Sequence, residues 1–439
     1  MPEPSIRPAS TAIGPDRAAL VLLIGALATL ASHAHAQTCD PATLFGAEQR
    51  SAAGASPANV ALGDVNGDGA ADLVVVNIGG DDVSVMLGRG DGSFEPQQRF
   101  QVGDRPTSAA LGDLNGDGAL DIAVSNEVDD NISVLLGRGD GTFGPQQRFD
   151  AGEQPVGVAL GDLNGDGDLD IAVANLAGFS VGVLLGRGDG TFGPQHAFGA
   201  GWFPTAIALG DLDGDGALDV AVANSGTDDA SVLLGRSDGS FEPQRRFDAG
   251  TQPRSVALGD LDGDGTPDLA VANLNTRDVS VLLGMGDGTY QPQQRFEAGE
   301  GPFAVAVGDL DGDGALDIAV ANLGESVAVL LGRGDGTFEP GEAFDAGQSP
   351  AAVAIADLNS DRALDLVVAN NGSDDASVLL NRCAPCPADL DGDGALTLFD
   401  FLAFQNLFDA MDPIADFDGD GDFTLLDFLA FQNAFDLGC

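Results

Sequence analysis

The sequence predicts an all-β ring of seven four-stranded blades, a β-propeller, followed by a small α-helical module. Three observations carry that prediction. An acidic nonapeptide, Asp-x-[Asn/Asp]-x-Asp-x-x-x-Asp, begins at Asp64, Asp113, Asp162, Asp211, Asp260, Asp309 and Asp357, in five steps of 49 residues and a last step of 48. The segments between these nonapeptides are short runs rich in Val, Ile, Leu and Phe, bounded by Gly, Asp and Asn, with strand length and no helical period. Beyond Cys386 the pattern changes to two copies of an acidic loop followed by a helix-length segment.

The N-terminal segment reads as an export signal. Arg7 and Arg17 precede an apolar run from Ala18 to Ala31, and Ala34-His35-Ala36 supplies a small-x-small cleavage site before Gln37. The run is shorter than the roughly 20 residues that span a bilayer. The expected layout is a signal peptide over 1–36, the propeller over 37–383, a linker over 384–388 and a helical module over 389–439, with no transmembrane segment. The protein is then secreted or held at the cell surface.

Each repeat reads alike. In the third, Val158-Ala159-Leu160 enters the acidic loop and Asp170-Ile171-Ala172-Val173-Ala174-Asn175 leaves it. Val181-Gly182-Val183-Leu184-Leu185-Gly186 follows, then Gly188-Asp189-Gly190-Thr191-Phe192 and a more polar run to His196-Ala197-Phe198. These make four strands, and the Asp-Gly pair marks the third-to-fourth connection as a hairpin turn with positive φ at both turn positions. Asn322-Leu323-Gly324-Glu325-Ser326 is the shortened segment, in a loop where a deletion is tolerated.

Ring closure is written at the two ends of the repeat array. The seventh unit stops after Ser377-Val378-Leu379-Leu380-Asn381-Arg382, without a fourth strand. Leu44-Phe45-Gly46-Ala47-Glu48-Gln49-Arg50 aligns with Thr142-Phe143-Gly144-Pro145-Gln146-Gln147-Arg148, so the N-terminal strand is expected to complete the last blade. Four cysteines in an exported chain allow three disulfide connectivities. Cys39 with Cys383 would lock the closure, Cys39 with Cys386 is the rival, and Cys386 with Cys439 would clamp the module. Cys383-Ala384-Pro385-Cys386 follows a strand and enters a linker, which is not the setting of a redox motif.

The acidic loops point to a hard cation. Positions 1, 3, 5 and 9 offer oxygen ligands, position 7 can add its carbonyl, and glycine at position 6 allows the sharp turn. Without His or thiolate in the set, the chemistry favours Ca2+. The expected ligands are Asp64, Asn66, Asp68 and Asp72; Asp113, Asn115, Asp117 and Asp121; and Asp162, Asn164, Asp166 and Asp170. They continue as Asp211, Asp213, Asp215 and Asp219; Asp260, Asp262, Asp264 and Asp268; Asp309, Asp311, Asp313 and Asp317; and Asp357, Asn359, Asp361 and Asp365. Arg362 replaces the position-6 glycine of the seventh loop, which is expected to bind poorly or not at all.

These units resemble FG-GAP/VCBS repeats, the blades of the integrin α-subunit propeller and of many exported bacterial proteins. The resemblance covers residues 43–382. It implies a seven-bladed propeller with Ca2+ in the loops between the first two strands of each blade, and an adhesive or scaffolding role. Arg-Gly-Asp occurs at Arg89, Arg138, Arg187 and Arg333, but the matching positions read Arg236-Ser237-Asp238 and Met285-Gly286-Asp287, the variation of an ordinary turn.

In the C-terminal module, Asp389, Asp391, Asp393, Thr397 and Asp400 occupy positions 1, 3, 5, 9 and 12 of an EF-hand-like loop. Asp416, Asp418, Asp420, Thr424 and Asp427 repeat it, with Gly394 and Gly421 at position 6. Helices are expected over Asp400 to Phe408 and Asp427 to Phe435, placing Phe401, Phe404 and Phe408, and likewise Phe428, Phe431 and Phe435, on one face as core. Two such units resemble a dockerin, which implies docking to a cohesin-like or envelope protein. Leu398-Phe399 and Leu425-Leu426 hold the positions that contact cohesin in that family, and here they are apolar.

Composition narrows the function. The chain of 439 residues carries 69 acidic residues against 18 basic ones, all arginine, for a net charge of −51. Such a surface repels phosphate backbones, so nucleic acid is excluded as a partner. Counting Asp168 and Asp422, 34 of the acids fall in the nine loops, so about half of the acidity belongs to cation binding. With His196 as the one histidine beyond the leader and no lysine, common nucleophilic mechanisms lack material. The expectation is a non-catalytic, calcium-binding exported propeller for protein interaction or adhesion. A carbohydrate-binding lectin is the alternative, with Trp202-Phe203 as its site, and a propeller-type polysaccharide lyase or glycosidase is the other.

Overall fold

The computed structural model describes residues 41–383, 390, 398–410, 415, 417 and 423–437. The expected signal peptide over 1–36 lies outside the described residues, as do Cys39, Cys386 and Cys439. The chain divides into two units, one over Cys39–Ala384 and one that includes Pro385–Cys439.

The larger unit is a propeller of seven four-stranded antiparallel sheets. The first blade runs β2 (Pro57–Gly63), β3 (Asp72–Asn77), β4 (Asp82–Met86) and β5 (Gln98–Gln101), in that spatial order. Leu73-Val74-Val75-Val76 of β3 is an unbroken apolar run because both faces of a second strand are covered by neighbouring blades. The fourth strand is exposed at Gln98, Arg99 and Gln101 and half-buried only at Phe100, as an outer edge is. The core therefore lies between blades. Val74, Val76, Val83 and Val85 of the first blade pack with Ile122, Val124 and Leu135 of the second.

The last blade contains β26 (Pro350–Ala356), β27 (Asp365–Asn370), β28 (Asp375–Leu379) and, as its outer strand, β1 (Gln49–Ala52). Gln49 pairs with Val378 and Ser51 with Ala376, and an isolated bridge joins Phe45 to Asn381. The expected closure is present. Cys383 is buried, disulfide-bonded to a partner outside the described residues, and sits with Phe45 in one core cluster.

Adjacent blades are joined by a repeated edge-to-face aromatic pair. Phe100 meets Phe143 at 5.2 Å between centroids, Phe149 meets Phe192 at 5.1 Å, and Phe45 meets Phe344 at 5.1 Å. Between the seventh blade and the first the pair is missing, because Ser51 of β1 stands where Phe100 stands in β5.

The third-to-fourth connection differs from the expected two-residue turn. The positive φ values belong to the glycines flanking the aspartate, 65° at Gly188 and 76° at Gly190, and Asp189 is not among the positive-φ residues. Asp189 Oδ1 instead accepts hydrogen bonds from the Thr191 N–H at 3.0 Å and hydroxyl at 2.6 Å, a side-chain-closed turn that needs only the flanking glycines to be left-handed.

A second recurrent device escaped the sequence reading. The asparagine ending each second strand, such as Asn273, is buried. It donates to Asp278 Oδ1 at 2.9 Å and Ser280 Oγ at 2.8 Å, and accepts from the Gly250 N–H at 3.0 Å. A Cβ on Gly250 would lie 2.5 Å from Asn273 Cγ, which explains the glycine opposite it.

In the C-terminal unit, α1 (Leu398–Ala410) and α2 (Leu425–Leu437) begin a little before the expected helices. Phe401, Phe404, Phe428 and Phe431 are buried together with Ala415, with Phe404 stacked on Phe431 at 4.4 Å. Among the described residues, no helix is long and apolar enough to cross a membrane.

Candidate metal centres

Each acidic loop joins the first and second strands of its blade, at one end of the ring. Its backbone is shaped by its own side chains. In the first loop Asp64 Oδ1 accepts from the Gly67 N–H at 2.7 Å and Oδ2 from the Gly69 N–H at 2.9 Å, while Asn66 Oδ1 accepts from the Asp68 N–H at 2.9 Å. Gly67 and Gly69 hold φ of 76° and 88°, where other residues are strained. The Asp and Asn side chains of the nonapeptide therefore close a tight loop on its own backbone N–H groups.

Position 9 opens the second strand and is fully buried in all seven blades, as Asp72, Asp121, Asp170, Asp219, Asp268, Asp317 and Asp365. Its two oxygens are oriented by backbone donors. Asp219 Oδ2 accepts from the Leu212 N–H at 2.8 Å and Oδ1 from the Gly235 N–H at 2.6 Å. These bonds fix the carboxylate while leaving further lone pairs on each oxygen.

Three loops bring carboxylates together closely enough to share an ion. The ligand atoms of Asp211, Asp213 and Asp219 lie within 4.8 Å of one another, and so do those of Asp260, Asp262 and Asp268 and those of Asp309, Asp311 and Asp317. These are the loops with Asp at position 3. In the others Asn66, Asn115, Asn164 or Asn359 stands there, contributing a neutral amide oxygen to a set with one carboxylate fewer. The expected position-5 ligands Asp215, Asp264 and Asp313 fall outside the triads. Each caps the loop's exit, as Asp264 does by accepting from the Thr266 N–H at 2.8 Å. Asp68, Asp117, Asp166 and Asp361 act alike; Asp117 Oδ1, for example, accepts from the Ala119 N–H at 2.9 Å.

The electrostatics suit a cation. Burial, then the neighbouring carboxylates, pushes Asp219 and Asp268 up to about 6 and Asp317 up to about 8. Asp311 is raised to about 6 for the same reasons. Three acids crowded beside a buried carboxylate carry an energetic cost that a divalent ion offsets. The donor set is oxygen alone, which fits Ca2+.

The seventh loop keeps the common backbone despite its substitutions. Arg362 and Ser360 adopt φ of 71° and 61°, and the Arg362 N–H donates to Asp357 Oδ2 at 2.9 Å, as Gly69 does to Asp64. What separates this loop from the rest is a positive side chain and two strained residues.

Of the C-terminal ligands, Asp389, Asp391, Asp393, Asp416, Asp418 and Asp420 lie outside the described residues. Asp400 and Asp427 are buried in the first turns of α1 and α2. Asp400 Oδ1 accepts from the Leu390 N–H at 2.8 Å. Asp427 Oδ2 accepts from the Thr424 N–H at 2.7 Å, and Thr424 Oγ1 accepts from the Leu426 N–H at 3.1 Å, a capping arrangement at the helix start.

On the end of the ring opposite the acidic loops, Trp202, Phe203 and Phe179 form an exposed aromatic group. Phe179 meets Phe203 edge to face at 5.2 Å and lies 6.4 Å from Trp202. His196 is an exposed residue of the strand His196–Gly199.

No curated protein matches the chain in sequence. Solved structures share its fold. They include a lectin from Agrocybe aegerita, described as recognising non-reducing terminal N-acetylglucosamine, at 23% identity and a TM-score of 0.50, over 73% of this chain and 87% of that one. BBS1N, solved in complex with ARL6DN, is 13% identical with a TM-score of 0.56, over 77% of this chain and 97% of that one. A functionally unknown protein from Desulfotomaculum acetoxidans is 12% identical with a TM-score of 0.50, over 67% of this chain and 91% of that one. The FG-GAP-like repeat family matches at residues 64–124, 113–173, 179–222, 211–271, 260–320 and 309–368. With blades, acidic loops and repeat spacing all in agreement, the chain belongs to the FG-GAP-like repeat family.

Proposed function

We propose that this protein is an exported, non-catalytic propeller that holds Ca2+ in its blade loops and presents its faces to a protein partner. The observation that carries the cation is the convergence of Asp309, Asp311 and Asp317, and its two counterparts, within 4.8 Å. Bound Ca2+ would supply the positive charge that these buried carboxylates lack, with position 1, 3 and 9 oxygens as its protein ligands. The loops are then rigid cross-links between the first two strands of each blade.

A seven-bladed propeller of these repeats fits a protein-interaction role. Attachment through the C-terminal unit to a cohesin-like or envelope protein rests on the duplicated loop and helix sequences. It is supported by the exposure of Phe399 and Leu402 on α1 and of Leu426 and Leu429 at equivalent places on α2. A Cys39 to Cys383 bridge would hold the closing strand in place. The test is isothermal titration of the chelator-stripped protein with Ca2+; absence of saturable binding would overturn the reading.

A second reading, a lectin, is favoured by one observation. Trp202 is the single tryptophan, 62% exposed, and grouped with two phenylalanines in the presence of a lectin-like structural neighbour. Glycan binding lost in Trp202→Ala would establish it.

A further inference from the structure

The first strand of every blade carries the same irregularity. In β18 (Pro253–Gly259), Pro253 pairs with Asn273 and Ser255 with Ala272, so Arg254 is left over in the ladder. The same bulge falls at Thr107, Thr205 and Phe303 and at the equivalent small aliphatic residue of each remaining blade. A bulged residue is released from the pleat's alternation, so its side chain can be re-aimed. All seven bulged residues line one cavity of about 520 Å3, the end of the axial channel away from the acidic loops.

Arg254 is the one charged member of that ring of bulges. Its guanidinium lies 4.6 Å from the centroid of Phe303, the bulged residue of the next blade. It is partly buried and makes no ion pair or side-chain hydrogen bond among the described residues, although the chain has 69 acidic residues. The comparison with Arg105 at the same cavity is direct, since Arg105 is paired with Glu127 at 3.0 Å. The ring threonines are satisfied too, Thr205 Oγ1 donating to Ala223 O at 3.2 Å and Pro253 O at 3.1 Å. Burial lowers the Arg254 pKa from its ordinary value with no acidic neighbour to restore it. A guanidinium stacked on a ring keeps its in-plane N–H donors pre-oriented, and here they have no protein acceptor.

We propose that the axial cavity is a binding site for a small cyclic monocarboxylate, with Arg254 receiving the carboxylate in its plane and Phe303 with the aliphatic wall receiving the ring. One arginine matches one negative charge. A dianion such as phosphate would leave a charge uncompensated inside a protein of net charge −51. The volume is that of a small-ligand site, and the lining divides evenly, seven apolar residues against seven polar or charged ones, so both the ring and the carboxylate of such a ligand find matching surface.

The test uses the full chain in saturating Ca2+, with benzoate and glucuronate as probes and glucose, benzyl alcohol and inorganic phosphate as controls, read by saturation-transfer NMR and calorimetry. The expected result is binding of at least one ring carboxylate, lost by about ten- to hundredfold in Arg254→Gln. Neither carboxylate binding, equal binding by the variant, or phosphate or a neutral control binding as tightly would each overturn the proposal. A second variant separates ligand binding from bracing between blades. Arg254→Met keeps the ring contact without the charge, and its melting midpoint should match or exceed that of the ligand-free protein; a lower midpoint would mark Arg254 as structural and also overturn the proposal.

Discussion

Phe45 is bridged to Asn381 across 336 residues of sequence, and Asn381 Nδ2 in turn donates to Leu310 O of the sixth blade at 2.7 Å. One residue at the closure thus meets the returning N-terminal segment through its backbone and the sixth and seventh blades through its side chain. Phe45→Ala removes a buried ring and its contact with Phe344, and should cost about 3 to 5 kcal/mol, the usual loss for a buried phenylalanine. Urea unfolding monitored by circular dichroism gives the value; a loss under about 1 kcal/mol would mean the closure carries little stability.

Ser51 leaves a gap in an otherwise repeated series of aromatic seams. Ser51→Phe should restore the edge-to-face pair with Phe94 and stabilise the ring by about 0.5 to 1.5 kcal/mol beyond the area buried. A lower thermal midpoint in this variant would show that the seam has no room for the ring.

The asparagine networks predict unequal costs for equivalent substitutions. Asn273→Ala removes three buried hydrogen bonds at once, from the Gly250 N–H and to Asp278 and Ser280, and although each partner keeps another contact the loss should cost about 2 to 3 kcal/mol. In the sixth blade Ala328 replaces the serine, and Asn322 Nδ2 donates to Ala298 O at 2.8 Å, so Asn322→Ala should cost less. Equal losses would remove the network as the explanation.

Stability should respond to pH in opposite senses with and without calcium. Burial raises Asp219, Asp268 and Asp365 from 3.8 to about 6 and Asp317 to about 8, so between those values the folded chain binds more protons than the unfolded one. In chelator the melting midpoint should therefore fall as pH rises from about 4 to about 8. In saturating Ca2+ the ion requires ionised carboxylates, and the midpoint should fall as pH is lowered through the same range. Parallel curves in the two buffers would contradict calcium binding at these loops.

The seventh loop can be converted. Arg362→Gly removes a side chain from φ of 71° and a positive charge from beside Asp357 and Asp361. The calcium-induced rise in melting midpoint should be larger in this variant than in the parent protein, and an identical rise would show that Arg362 does not limit binding.

Blade number, strand order and ring closure were legible because a 49-residue period and one displaced fragment are properties of the chain alone. The loops were legible as candidate cation sites, yet the closer grouping of the aspartates at positions 1, 3 and 9, apart from the one at position 5, was not. Both kinds of aspartate look alike in sequence and both accept backbone N–H groups, and only the folded loop shows which of their oxygens converge. The asparagine network was hidden because Asn273 and its Gly250 partner are 23 residues apart and read as ordinary turn residues. The axial ring was hidden for a related reason. Arg254 sits one residue after a proline at a strand start, and nothing in its neighbours reveals that a bulge turns it toward the axis.

The N-terminal outer strand also sets an order of events during biosynthesis. Residue 52 emerges 323 residues ahead of residue 375, its first partner in register. At about 5 to 20 residues per second that is a wait of roughly 15 to 65 seconds. Throughout it, six blades can assemble behind an orphaned ribbon whose complement does not yet exist, and the last blade arrives with its own edge open. Until the two ends meet, the ribbon and the third strand of the last blade are each an unpaired edge open to the complementary edge of a neighbouring chain.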